Sequence, residues 1–363
     1  MTSAPSSTIQ EIEDQSRLYP VRVWLVGVLG LILMMVAVGG ITRLTESGLS
    51  ITEWQPIMGT IPPIGEAAWQ EAFELYKQYP QYEIMNPNMT LDEFRVIFFW
   101  EYVHRLLGRI IGVAFALPYL WFLFTRRLRA GLAFQLLIGF VLGGLQGVLG
   151  WYMVMSGLVD VPRVSHFRLA AHLSLAFVIF AYLLWVLLSL HPKRRGAPDA
   201  QPTGLLWKLA TGFAVLLVIQ IAYGAFTAGL RAGYAFNTWP KMMNHWLPPG
   251  WLGFEPAWRN FFENVITVQF IHRTLAYPLV AIAIALAWQG CRRGVGARLR
   301  VWLFAVPLLT FVQFALGVVT ILLVVPITWA TLHQVTACLL VGATTGLFYD
   351  LFEARRSANL AEA

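Results

Sequence analysis

Apolar residues fill eight stretches of the 363-residue chain, and the polar residues collect between them. A bilayer-spanning helix needs about 20 such residues at a rise of 1.5 Å each. The stretches centre on Leu31, Phe115, Leu142, Ile179, Leu216, Val280, Ala315 and Leu340. The pattern predicts an all-α polytopic membrane protein with eight transmembrane helices. Composition agrees: 58% of residues are hydrophobic and 12% charged, with a mean hydropathy of +0.62, whereas a soluble domain is about one quarter charged.

Charge then sets the orientation. Arg126, Arg127 and Arg129 follow the second stretch, Lys193, Arg194, Arg195 and Lys208 the fourth, and Arg292, Arg293, Arg298 and Arg300 the sixth; Arg355 and Arg356 close the chain. The opposite side has only Arg163 and Arg168 in one short loop, and none in "VVPIT". Lysine and arginine are retained on the cytoplasmic side, so both termini read as cytoplasmic and the two long loops as external. The net charge of +7 is then a topology signal, and a nucleic-acid partner has no other support. Glu11, Glu13 and Asp14 argue against a mitochondrial transit peptide, and the N-terminus lacks the apolar core of a cleaved signal. Cys291 and Cys338 lie at the inner end of one stretch and within another, so no outer disulfide or cysteine-based metal site is expected.

An internal repeat divides the chain. "EYVHRLLGRIIGVAFALPY" in the second stretch is similar to "QFIHRTLAYPLVAIAI" in the sixth. "GLQGVLG" in the third matches "FVQFALG" in the seventh, keeping Gln146 with Gly150 and Gln313 with Gly317. The long loops carry "EWQPIMGTIPP" and "NTWPKMMNHWLPP". The expected organisation is two pseudo-symmetric four-helix bundles, residues 1–192 and 200–363, joined by the linker "HPKRRGAPDAQPTG". An even number of spans per unit makes the repeats parallel.

Four of the seven histidines belong to the repeat: His104, His172, His272 and His333, one on each even-numbered stretch. They precede the inner charged end of their helices by 22, 21, 20 and 20 residues, which places them at one height. Two histidines per four-helix unit at one depth is what two bis-histidine haem sites require, each iron taking an axial imidazole from two helices. For His166, His191 and His245 an ordinary structural role is expected. Zinc or copper is disfavoured, because no repeated carboxylate or thiolate completes a ligand set.

With "GGITRLTESGLSITEWQPIMGTIPP" and "EYVHRLLGR", the spaced histidines and the duplicated plan resemble the haem A synthase family, in its bacterial and mitochondrial branch. The resemblance covers nearly the whole chain. It implies oxidation of a ring methyl of haem O to a formyl group, giving haem A for a terminal oxidase in a bacterial inner membrane. It implies that His272 and His333 hold a haem b, while His104 and His172 receive haem O. Expected partners are haem O, haem O synthase, the terminal oxidase assembly pathway, an electron donor and membrane lipid; a homo-oligomer is compatible. Some family members carry a cysteine pair in the first outer loop, and residues 43–93 contain none, so no thiol relay is carried over.

The repeat itself assigns chemistry to one half. Aligning His104 with His272 sets Glu101 against Gln269, one turn from the ligand. A carboxylate can accept protons during methyl oxidation and an amide cannot, so Glu101 marks the expected oxidation site; pairing with Arg105 four residues on is the competing structural reading. Arg105 and Arg273, beside the ligands, are candidates either for haem propionates or for loop carbonyls. Arg109 has no counterpart, Tyr277 standing in its place. Gly39, Gly40, Gly143, Gly144, Gly147, Gly150, Gly224 and Gly317 are expected to permit close approach of helices or of a flat ring. "GEAAWQEAFELYKQYPQY" in the first outer loop reads as an amphipathic surface helix with Ala68, Phe73, Leu75 and Tyr76 on its apolar face. A di-haem cytochrome b and a two-fold transporter stay as alternatives. The transporter predicts polar groups near the midplane, whereas these lie near the outer face.

Overall fold

The computed structural model describes residues 5–52, 58–155, 164–191, 203–292 and 295–362. Lys193, Arg194, Arg195, Arg163, Arg293, most of the linker between the halves and the start of "EWQPIMGTIPP" lie outside them. The spans are, in order, Pro5–Leu44, Leu91–Phe124, Ala130–Met155, His166–Ser189, Gly204–Gly229, Val265–Gly290, Ala297–Leu322 and Ile327–Glu362. All eight helices are long and apolar enough to cross a membrane, and each contains one expected centre. The described residues include no β-strand, only an isolated bridge between Met242 and His245.

Local chemistry sets several helix starts. The second span opens on a capping box, in which Thr90 accepts from the Glu93 amide and the Glu93 side chain accepts from the Thr90 amide. Thr203 and Asn264 cap the fifth and sixth. Arg17 donates to the carbonyls of Arg126 and Arg127, so the start of the first span and the basic turn after the second share one side.

Neighbours follow a pattern. Within each half, every span packs on the next and the fourth closes back on the first. Between halves, the fourth span packs on the fifth, the first on the eighth, and the fourth on the eighth. This set is unchanged when each span is exchanged for the one four places on. At the outer end, Glu46 and Arg231, equivalent positions with left-handed φ of 57° and 56°, form an ion pair with each other. Arg43 adds a hydrogen bond to the Ala228 carbonyl at 2.7 Å.

Apolar packing occupies the inner half of each bundle. Val21, Leu25, Phe115, Leu136 and Leu183 belong to one cluster, and Phe213, Leu286, Leu303 and Leu347 to the other. Tight van der Waals packing is the main attraction between helices in lipid, so the interlocked inner ends leave the outer half of each bundle free to be lined by glycine and histidine.

The outer-loop helix spans Glu66–Lys77, and its apolar face is buried against protein: Trp69, Phe73 and Tyr76 pack on Phe94 and Phe98 of the second span. That burial pushes the Tyr76 phenol above its ordinary pKa. The third outer loop is held by Asn260 and Asn264, whose side-chain amides donate to Phe254, Ala257 and Gly250 carbonyls at 2.8–3.0 Å. Cys291 is exposed, Cys338 buried, and both are free thiols. His166 packs between Phe167 and Phe226. His191 lies past the inner end of the fourth span, where burial, with Arg22 and Arg298 nearby, lowers its pKa.

Candidate functional site

Each repeat histidine lies across a glycine of the preceding span. A side-chain carbon added at Gly39 would meet His104 Cε1 at 3.5 Å; at Gly150, His172 at 3.1 Å; at Gly224, His272 at 3.0 Å; at Gly317, His333 at 2.9 Å. Every one of these glycines stands five residues before the last residue of its helix. The four imidazoles therefore share one level near the outer ends, and the glycines give their rings room to lie against a neighbouring backbone.

One turn deeper on three of these spans stands a glutamine. Gln146 donates to the His172 carbonyl at 3.1 Å and to His172 Nε2 at 3.2 Å. Gln313 donates to His333 Nε2 at 3.2 Å, and Gln220 to the His272 carbonyl at 2.9 Å. His333 Nδ1 is 3.1 Å from the Gln313 main-chain carbonyl, which fixes that proton on Nδ1 and leaves the Nε2 lone pair to face Gln313. The side-chain oxygens of all three glutamines are buried without a partner among the described residues. The Gln-x-x-x-Gly spacing of the fifth span, together with the identity of the histidine facing each glycine, escaped the sequence reading. The recurring four-residue interval was its available signal.

The rings of the C-terminal pair lie edge to face. The ring centroids of His272 and His333 are 6.4 Å apart, with planes at 88°. Two imidazole nitrogens placed trans at about 2.0 Å from one iron set the centroids about 6.3 Å apart. Among the described residues His272 Nδ1 is buried without a partner, and so is Arg273 Nη1, a donor that fits a propionate. His104 and His172 lie within electrostatic range of each other. No cluster of three or more histidine, cysteine, aspartate or glutamate side chains forms among the described residues; a haem needs only its axial pair.

Glu101 is buried, with 2% of its surface exposed. It accepts from Arg105 at 2.6 Å, from the Ser50 hydroxyl at 2.8 Å and from the Ile51 amide at 2.8 Å. Arg105 also donates to the Ile51 carbonyl at 2.7 Å. In the other half Gln269 donates to the Phe236 carbonyl at 3.0 Å, and Arg273 donates to the Thr238 carbonyl. Both motifs thus tie the loop after the preceding odd-numbered span onto the histidine helix, with opposite polarity at the key position. Glu101 accepts from its loop, whereas Gln269 donates to its loop. Both the carboxylate pairing and the loop-carbonyl role of the arginines are present. Arg109 lies one turn beyond Arg105 on the second span, within its electrostatic range, and also borders a surface groove with Ile110 and Val113.

Residues 22–345 match the family of cytochrome oxidase assembly proteins, COX15-CtaA. The chain is similar to a protein named heme A synthase from Parvibaculum lavamentivorans, at 48% identity over 88% of this chain and 90% of the relative. It is 46% identical to the heme A synthase of Nitrosospira multiformis over 96% of this chain and 98% of the relative. The heme A synthase of Nitrosomonas eutropha is 45% identical, over 93% and 96%.

Proposed function

The chain belongs to the haem A synthase family, and on that premise we propose that it is a membrane enzyme of haem A biosynthesis that oxidises the C8 methyl of haem O to a formyl group. The observation that carries this reading is two histidine pairs at one level, of which one alone has a buried carboxylate a turn away. In the proposal, the N-terminal unit, residues 1–192, takes haem O between His104 and His172. The C-terminal unit, residues 200–363, holds a haem b between His272 and His333. Haem b supplies one-electron redox chemistry when bound.

The chain's own residues bind, orient and move protons. Gln146 and Gln313 orient the fourth- and eighth-span imidazoles, and Arg273 offers a donor to a propionate. Going from methyl to formyl removes two hydrogens from the carbon and adds one oxygen. A proton acceptor beside the ring serves that change, and Glu101 is the buried group of this kind on the His104 helix. Its contact with the Ser50 hydroxyl ties it to the outer loop. Arg105 holds Glu101 and, in this reading, a substrate propionate as well.

Haem O synthase is the proposed source of substrate and a terminal oxidase pathway the destination of product. The change is a four-electron oxidation, so it needs an oxidant from outside the chain, such as dioxygen, beside the electron donor proposed as its membrane partner. The clustered basic residues support a bacterial inner-membrane location with both termini cytoplasmic. The test is expression in cells that make haem O and lack haem A. Haem A should appear. Unconverted haem O, together with haem b bound by both histidine pairs, would point instead to an electron-transfer cytochrome.

A further inference from the structure

The two bundles differ along one seam. Between the sixth and seventh spans, the Tyr277 and Phe314 rings meet at 5.9 Å, and Trp239 from the third outer loop meets Phe314 edge-on at 6.3 Å. Phe314 follows Gln313, which touches His333, and Tyr277 lies five residues beyond His272. This aromatic cluster therefore lies at the seam of the sixth and seventh spans, close in sequence to both C-terminal histidine contacts. The repeat replaces Tyr277 by Arg109 and Phe314 by Gly147 in the N-terminal half. The ring pair cannot form there. Nothing lies within 4 Å of a side-chain carbon built on Gly147, and the second and third spans pack less extensively than the sixth and seventh.

A second feature lies on the outer face of the second span. From Arg109 an apolar groove of about 440 Å³ runs down the lipid face of the second span, lined by Ile110, Val113, Leu117 and Pro118, with Thr60 of the outer loop at its head. The stretch from Arg109 to Pro118 covers about 13 Å of helix. An extended prenyl chain has that chemistry and a comparable length.

We propose that Tyr277, Phe314 and Trp239 form a plug that keeps the resident haem in the C-terminal bundle. The unplugged seam between the second and third spans is the side door through which the prenylated haem substrate enters and the product leaves. The apolar farnesyl tail that distinguishes haem O from haem b lies in the groove below Arg109. The proposal rests on the division of the two halves given above and says how one chain can hold one haem permanently while exchanging another. Retention here is a matter of steric closure, which acts on the dissociation rate.

The test uses the purified full-length protein with apomyoglobin as a haem scavenger. Tyr277→Ala combined with Phe314→Gly should speed capture of haem b by about tenfold or more. Gly147→Phe should lower the haem O plus haem A that co-purifies several-fold while haem b and its low-spin spectrum stay. Val113→Trp, a change on a lipid-exposed face, should do the same by filling the groove, and it serves where Gly147→Phe disturbs folding. Unchanged capture in the plug variant, with unchanged haem O and haem A in Val113→Trp, would overturn the proposal. A fast-exchanging pigment that survives His104→Ala and vanishes in His272→Ala would overturn the division of the halves instead.

Discussion

A glutamine at position 101 would match the glutamate in volume but not in polarity. The carboxylate accepts from three donors on two sides: Arg105 on one oxygen, Ser50 and the Ile51 amide on the other. An amide turns its NH2 toward one of these sides, leaving at least one buried donor unmet at a cost of about 1–3 kcal/mol. Glu101→Gln therefore removes proton acceptance and loosens the loop together, and it needs a companion. Ser50→Ala deletes one loop contact and keeps the carboxylate. If Glu101 takes protons during oxidation, Glu101→Gln should reduce conversion by about 100-fold or more, whereas Ser50→Ala should stay within a few-fold. The ratio of haem O to haem A in cells making each variant reads this directly. Equal, small losses in both would make Glu101 a loop anchor only.

At the scale of the helix, glycine and histidine act as a unit that neither residue announces alone. Gly317 leaves 2.9 Å between an added side-chain carbon and His333 Cε1, while the equivalent carbon at Gly143 meets nothing within 4 Å. Gly317→Ala should push the ring off its site, with the 1–3 kcal/mol cost of overpacking, and should lower bound haem b or convert part of it from low to high spin. Gly143→Ala should leave the haem b spectrum as it is. Optical spectra of the two purified variants decide this, and an unperturbed Gly317→Ala spectrum would remove the glycine from the ligand geometry.

The same elements mark what was legible in the sequence and what was not. Hydropathy located all eight spans because lipid-facing surface demands apolar side chains regardless of tertiary detail. Counting to the charged inner ends set the histidines at one level because helical rise is constant. The glycines read as general close-packing residues, since a sequence does not say which neighbour a missing side chain admits. The loop contacts of Glu101 and Gln269 join residues 50 and 33 positions apart, and no local pattern reports them. The outer-loop helix was visible in its apolar spacing, but its burial on Phe94 and Phe98 was not.

In the whole molecule, the eight helices form a neighbour pattern that maps onto itself, with the Glu46–Arg231 pair at the equivalent positions where the two halves meet. Function in this account comes from the departures: glutamate for Gln269, arginine for Tyr277, glycine for Phe314. In the proposal one bundle is closed around the His272–His333 pair, whose rings are perpendicular and 6.4 Å apart, and the other is open at the side and carries the carboxylate. Such a division makes the two histidine pairs non-interchangeable. The direct measurement is chromatographic identification of the pigments in purified wild-type protein, His104→Ala and His272→Ala from cells that make haem O. The account predicts haem b with haem O and haem A in the wild type, haem b alone in His104→Ala, and loss of haem b in His272→Ala. Haem O or haem A retained at wild-type levels in His104→Ala, or haem b retained in His272→Ala, would contradict it.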